Sequence, residues 1–156
     1  MDSAPEMTNL AGGPAIAIRA HISPTELGKF FGGAFGELVA GGADQIEGPP
    51  FARYYTFDPQ RVDVEVVMPL RSPRPVSGRL QAITLVAGPA VQVRHVGPYE
   101  SLGEAYRSIE QWIEDHHRRR GEVIREVYMT DPTVLPADRI TMVIQPLQAD
   151  TTPAAA

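Results

Sequence analysis

A repeated block structure constrains this chain more than any single motif does. The segment HISPTELGKFFGGAFGEL, from His21, aligns with HVGPYESLGEAYRSIEQW, from His95, at an offset of 74, and this puts Pro24 on Pro98 and Phe31 on Ala105. GPPFARYYTFDP, from Gly48, aligns with GEVIREVYMTDP, from Gly121, at an offset of 73, matching Tyr55 to Tyr128 and Asp58-Pro59 to Asp131-Pro132. Each is followed by a valine- or isoleucine-rich run that ends in Pro-Leu, at Pro69-Leu70 and Pro146-Leu147. Matched blocks in one order imply two similar halves of about 70 residues. A half of that size is too small to bury a sheet alone, so the two pack into one domain.

Each half reads as strand, helix, strand, strand. In the first, PAIAIRAHI forms a strand over about 14–22, and Ser23-Pro24-Thr25-Glu26 is a capping box with proline at the first helical position. The helix LGKFFGGAFGELVA carries Leu27, Phe31, Phe35 and Leu38 on one stripe and Gly28, Gly32 and Gly36 on another. Glycines four apart make a flat groove that suits close packing, or a ligand or second subunit, at a cost of about 1 kcal/mol each relative to alanine. PFARYYTF then turns at Asp58-Pro59 into RVDVEVVMPL, whose Val62, Val64 and Val66 point away from Asp63 and Glu65, the alternation of an antiparallel strand with one face buried. In the second half, RLQAITLVAG turns at Gly88-Pro89 and pairs with AVQVRHVG. Gly97-Pro98-Tyr99-Glu100 opens a helix with Leu102, Ala105, Tyr106, Ile109, Trp112 and Ile113 on its apolar face. Residues 71–78, RSPRPVSG, are the linker between repeat one (14–70) and repeat two (79–147). The small, polar, proline-containing ends, 1–13 and 148–156, are expected to fray.

Composition removes several classes of function. The absence of cysteine excludes disulfides, thiolate metal sites and cysteine nucleophiles. A balance of 14 Lys+Arg against 19 Asp+Glu, formally -5, is the wrong sign for a domain whose main partner is a nucleic acid backbone. Neither a long apolar run nor a basic-then-apolar leader is present, so a cytoplasmic protein without a membrane partner is expected. The histidines lack metal-ligand spacing, no phosphate loop or nucleophile elbow is present, and neither a metal nor a cofactor is expected.

What remains is Glu126. On a period of two, Ile124, Glu126 and Tyr128 share one strand face, so a carboxylate sits between an apolar and an aromatic side chain. Burying it without partners costs several kcal/mol on the order known for charged groups. It is therefore solvated at an edge, paired with Arg53, its counterpart in the alignment, or kept buried for a task. Where a duplicated scaffold loses its symmetry of charge is a natural place for function.

The strings HVGPYESLGEAYRSIEQW, EVYMTDP and ITMVIQPL, with GPPFARYY in the first half, resemble the GyrI-like small-molecule-binding domain, the effector-binding domain of bacterial multidrug-sensing regulators. The resemblance covers about residues 14–147. It implies an α+β fold of two pseudo-symmetric βαββ-type repeats, with a central antiparallel sheet, two main helices and a pocket between the halves. It also implies a pocket for planar, hydrophobic, often cationic compounds, stacked on aromatic rings beside a buried glutamate that corresponds to Glu126. A dry, unpaired carboxylate attracts a delocalised cation while disfavouring a small hydrated one. Aromatic faces add about 0.5–2 kcal/mol each. Tyr128, Tyr55, Tyr106, Trp112 and Arg53 are the further candidates for that pocket, Tyr55 and Tyr128 by strand parity with Arg53 and Glu126.

Only about 13 residues precede the expected first strand, too few for a helix-turn-helix, so direct nucleic acid binding is not expected. Stand-alone members of the resembled family suggest two functions: a binding protein, monomeric or homodimeric, that holds a drug-like compound unchanged, and a hydrolase of cyclopropane-bearing DNA alkylators. In the second, Glu126 activates water and Tyr128 stabilises the developing negative charge.

Overall fold

The computed structural model describes residues 2–131 and 133–149; the expected fraying of the C-terminal tail falls mostly outside them. The strands are β1 Glu6–Leu10, β2 Gly13–Ile22, β3 Phe51–Phe57, β4 Val62–Pro69, β5 Gln81–Leu85, β6 Gly88–Val96, β7 Arg125–Tyr128 and β8 Ile140–Pro146, and the helices are α1 Leu27–Gly42 and α2 Gly103–Asp115. All strands join one curled antiparallel sheet in the order β1-β6-β8-β7-β3-β4-β2-β5. Read from either edge, the order gives the same succession of roles: a short leading strand, the strand before the helix, the second strand of the hairpin, then its first. β3 and β7 meet at the centre, with Arg53 opposite Arg125 and Ala52 opposite Glu126.

Strand alternation sorts the side chains onto two faces. Ile16, Ile18, Val62, Val64, Val66 and Met68 pack beneath α1, while Val91, Val93 and Val143 pack beneath α2. Both helices therefore lie on one face. The opposite face closes over Ala15, Ala17, Phe51, Val67, Ala90, Val127 and Ile144 without a helix, because the sheet curls around it.

Several expectations change. Residues 6–10 form β1 rather than a frayed end, since β6 offers an open edge for Glu6 to pair with Gln92 and Leu10 with Gly88. Asp2 extends this lock: its carboxylate lies 2.5 Å from Nδ1 of the buried His95. Ser101 Oγ lies 3.0 Å from Nε2 of the same ring. The strand 81–85 does not pair with β6; it pairs with β2, Leu85 against Gly13. The leading strand of each half thus crosses to the other half. The crossing corners nearly touch: Gly12 has φ +73°, and a Cβ there would lie 2.7 Å from the Ala87 nitrogen.

In α1 the buried stripe is Phe30, Ala34, Leu38 and Gly42; Leu38 is shared with the expected stripe, while Leu27, Phe31 and Phe35 pack at its margin. Added Cβ atoms at Gly28, Gly32 and Gly36 would meet nothing within 4 Å, so these glycines do not serve close packing inside the domain. The serine of the capping box bonds the Glu26 side chain at 2.9 Å, but it closes a short 3-10 turn at 24–26 rather than the α-helix itself.

Candidate ligand-binding site

Glu126 lies on the helix-bearing face at the centre of the sheet, opposite Ala52 on β3 and Val143 on β8. It is 8% exposed. No ion pair to Glu126 occurs among the described residues. Its oxygens accept instead from tyrosines: the Tyr128 hydroxyl donates to Oε1 at 3.1 Å, and the Tyr106 hydroxyl from α2 donates to Oε2. A third hydroxyl, on Tyr54 of β3, lies beside that of Tyr128.

Burial pushes the Glu126 carboxyl above its ordinary range, and the hydrogen bonds from Tyr106 and Tyr128 only partly restrain the rise. The tyrosines respond in kind. Burial, then the Glu126 charge, raise Tyr54, Tyr106 and Tyr128 above the usual phenol value, so they stay protonated donors.

Rings surround this network. Phe31 and Phe35, one turn apart on α1, stack at 5.6 Å, and each meets the Tyr128 ring edge-on at 6.3 Å. Tyr99, just before α2, meets it from the other side at 5.7 Å and is 38% exposed. One carboxylate, three phenol hydroxyls and three further rings thus converge between the helices. Such a site suits a flat, apolar guest with diffuse positive charge.

Of the residues singled out from sequence, the structure brings together Glu126, Tyr128 and Tyr106. Trp112 has its ring contact elsewhere: it stacks on His116 at 4.1 Å and packs into the core beneath α2. Arg53 and Tyr55 do not share the Glu126 face. Arg53 stands opposite Arg125, and its guanidinium holds Glu65 at 2.6 Å. Tyr55 donates to the same Glu65 at 2.9 Å, under the Arg19 guanidinium. The cause is a bulge: β3 pairs Tyr54 with Val64 but Thr56 with Asp63, so Tyr55 is an extra residue. Before the bulge the repeat offset is 74, which makes Val127 the counterpart of Arg53 and Glu126 that of Ala52. Neither an Arg53 to Glu126 ion pair nor an open edge is therefore realised.

Tyr54, Phe31, Phe35 and Tyr99 are not among the site residues expected from the sequence. One signal was available: Phe30 and Phe31 are adjacent on a helix and cannot both face the core, so one had to serve another surface.

With this geometry in place, the match to known sequences is direct. The model of the GyrI-like small molecule binding domain matches residues 3–147. The chain belongs to this family. No curated protein sequence matches the chain. Among solved structures it is similar to the C-terminal domain of EcmrR, at 20% identity and a TM-score of 0.80, covering 92% of this chain and 96% of that one. It spans 57% of the EcmrR chain solved in a DNA complex, at 21% identity and a TM-score of 0.81, with 92% of this chain covered. A hydrolase from Listeria innocua aligns at 15% identity and a TM-score of 0.68, over 93% of this chain and 92% of that one. SAV2435, solved bound to tetraphenylphosphonium, aligns at 11% identity and a TM-score of 0.64, over 94% of each chain. At these identities the likeness is one of fold. Among the described residues no helix is long and apolar enough to cross a membrane.

Proposed function

We propose that this GyrI-like domain holds planar, hydrophobic, cationic compounds between α1 and α2, with Glu126 as the counter-charge. The observation that carries this reading is a buried carboxylate with no cationic partner among the described residues, ringed by Phe31, Phe35, Tyr99 and Tyr128. A fold has no use for an unpaired buried charge, whereas a site for organic cations does. Phe31, Phe35 and Tyr99 pack against the Tyr128 ring beside the carboxylate, so a guest enters as these rings swing aside. SAV2435, of the same fold, was solved with tetraphenylphosphonium, and that cation, tetrahedral at phosphorus but presenting flat phenyl faces around its charge, is a suitable probe.

The test is calorimetric titration with tetraphenylphosphonium and with neutral triphenylphosphine oxide. The cation is expected to bind at least tenfold more tightly than the neutral compound, and Glu126→Gln to remove that preference, a change of about 1.4 kcal/mol. Equal affinities, or a preference that survives Glu126→Gln, would sink the reading.

The tyrosine donors around a carboxylate of raised pKa support a second reading, hydrolysis of a cyclopropane-bearing alkylator. Glu126, ionised, takes a proton from water as the water oxygen bonds to a ring carbon. The carbon–carbon bond breaks and its electron pair ends on the conjugated carbonyl oxygen, where a phenol hydroxyl of Tyr106 or Tyr128 donates to the new phenolate. Mass spectrometry would show a product one water heavier than the substrate. No excess over buffer would remove this reading while leaving the first intact.

A further inference from the structure

The helix-free face of the sheet carries three arginines whose side-on forks, Nε with Nη2, can be compared. Arg19 places its fork on Asp63, at 2.9 and 2.8 Å. Arg53 places its fork on Glu65, at 2.8 and 2.6 Å. Arg125 is 6% exposed, and neither nitrogen of its fork has a hydrogen-bond partner. The reason lies in the strand register. Arg53 of β3 stands opposite Glu65 of β4, but Arg125 of β7 stands opposite Ile144 of β8. Arg125 lies over the Phe51 ring, at 4.4 Å, and faces no carboxylate across the ladder.

A buried guanidinium without an acceptor is costly, and burial together with the charge of Arg53 pushes Arg125 down to about 10. One nearby carboxylate falls short: Glu122 Oε2 is 3.3 Å from Arg53 Nη1 but 3.9 Å from Arg125 Nη2. Glu122 sits in a loop, with 36% of its side chain exposed. It also lines a cavity of about 520 Å³ whose other walls include Leu10, Val86, Pro89, Pro146 and Leu147. That volume is in the range of small-molecule sites.

From this geometry we infer a second ligand site, distinct from Glu126 and on the opposite face of the sheet. It takes a small amphipathic carboxylic acid, whose apolar tail fills the cavity and whose carboxylate displaces Glu122 to bridge Arg53 Nη1 and the Nη2 end of the Arg125 fork. Charge complementarity selects the occupant. The pair of guanidiniums matches a planar carboxylate, and the apolar walls match its tail. Glu122 is the built-in competitor, swinging to solvent when the ligand binds.

The experiment uses octanoate, followed by calorimetry and by the Arg125 Nε–H resonance in nitrogen–proton correlation spectra. Octanoate is expected to bind at one site and to shift that resonance, whereas octylammonium does neither. Glu122→Gln, which weakens the competitor, should tighten octanoate at least threefold, and Arg125→Met should weaken it at least tenfold. Ile144→Glu supplies the missing carboxylate from within. It should keep or raise the melting temperature and abolish octanoate binding. The inference is overturned if octanoate fails to bind both the wild-type chain and Glu122→Gln at millimolar concentration, or if a folded Arg125→Met binds it unchanged. Should Arg125→Met not fold, undiminished octanoate binding by Ile144→Glu overturns it equally.

Discussion

Replacing Glu126 by glutamine is expected to stabilise the free protein while damaging its site. The carboxylate is 8% exposed and, among the described residues, held only by hydroxyls of Tyr106 and Tyr128. Removing an ion from water into a protein costs several kcal/mol, and two hydrogen bonds to a charged acceptor return about 1.5–3 kcal/mol each. Glutamine lifts the ionic cost and keeps one oxygen acceptor, while the second tyrosine hydroxyl turns to accept from the amide. The net gain is expected to be about 1–2 kcal/mol at pH 8, or roughly 3–6 °C in melting temperature for a chain of this size. Its pH dependence is the sharper test. The folded-state pKa of Glu126 is raised above its ordinary value of 4.5. The stability linked to its protonated form is therefore fully present below that ordinary value and is lost as pH rises through the folded pKa. Urea unfolding from pH 4 to pH 8 should show wild type and Glu126→Gln nearly equal in acid and separating as pH rises. A constant gap, or a glutamine variant less stable at pH 8, would refute the account of Glu126 as a desolvated carboxylate.

Other substitutions separate the two faces of the sheet. Arg53→Met strands Glu65, which is 5% exposed, and should cost about 3–5 kcal/mol in chemical denaturation while leaving tetraphenylphosphonium affinity within about twofold. Phe35→Ala removes one ring from the Tyr128 cluster; it should weaken that cation by about 0.5–2 kcal/mol, read by titration, with the neutral analogue less affected. Gly12→Ala places a Cβ against the Ala87 backbone at positive φ, and should lower stability by at least about 2 kcal/mol, read from the urea midpoint.

The extent of the fold that was legible follows from the kind of signal each element carries. The helices and β2, β4, β6 and β8 announce themselves by apolar periodicity, which needs no partner to be read. β1 does not: EMTNL alternates weakly, and it becomes a strand because β6 presents an edge. The exchange of β1 and β5 between the halves was equally invisible. A hairpin between 81–85 and β6 satisfies the same local pattern, and the pairing with β2 that replaces it joins residues far apart in the chain. At the site, Glu126, Tyr128 and Tyr106 were recognisable because a charge or hydroxyl in an apolar stretch needs a reason. Arg53 and Tyr55 were misplaced by a single bulged residue, since one extra residue turns every later side chain to the other face.

The sequence by itself determined that matched blocks recur in one order, that both helices carry one apolar face, and that Glu126 is a carboxylate in a run otherwise fit for burial. These are properties of composition and period, carried by each segment alone. Tertiary structure decided which face each polar residue meets. It set Glu126 among tyrosines, gave Glu65 to Arg53, and left the Arg125 fork without an acceptor where Ile144 stands. The physical reason is register. Strand pairing couples residues far apart in the chain, and which charge faces which is fixed only when the strands are side by side.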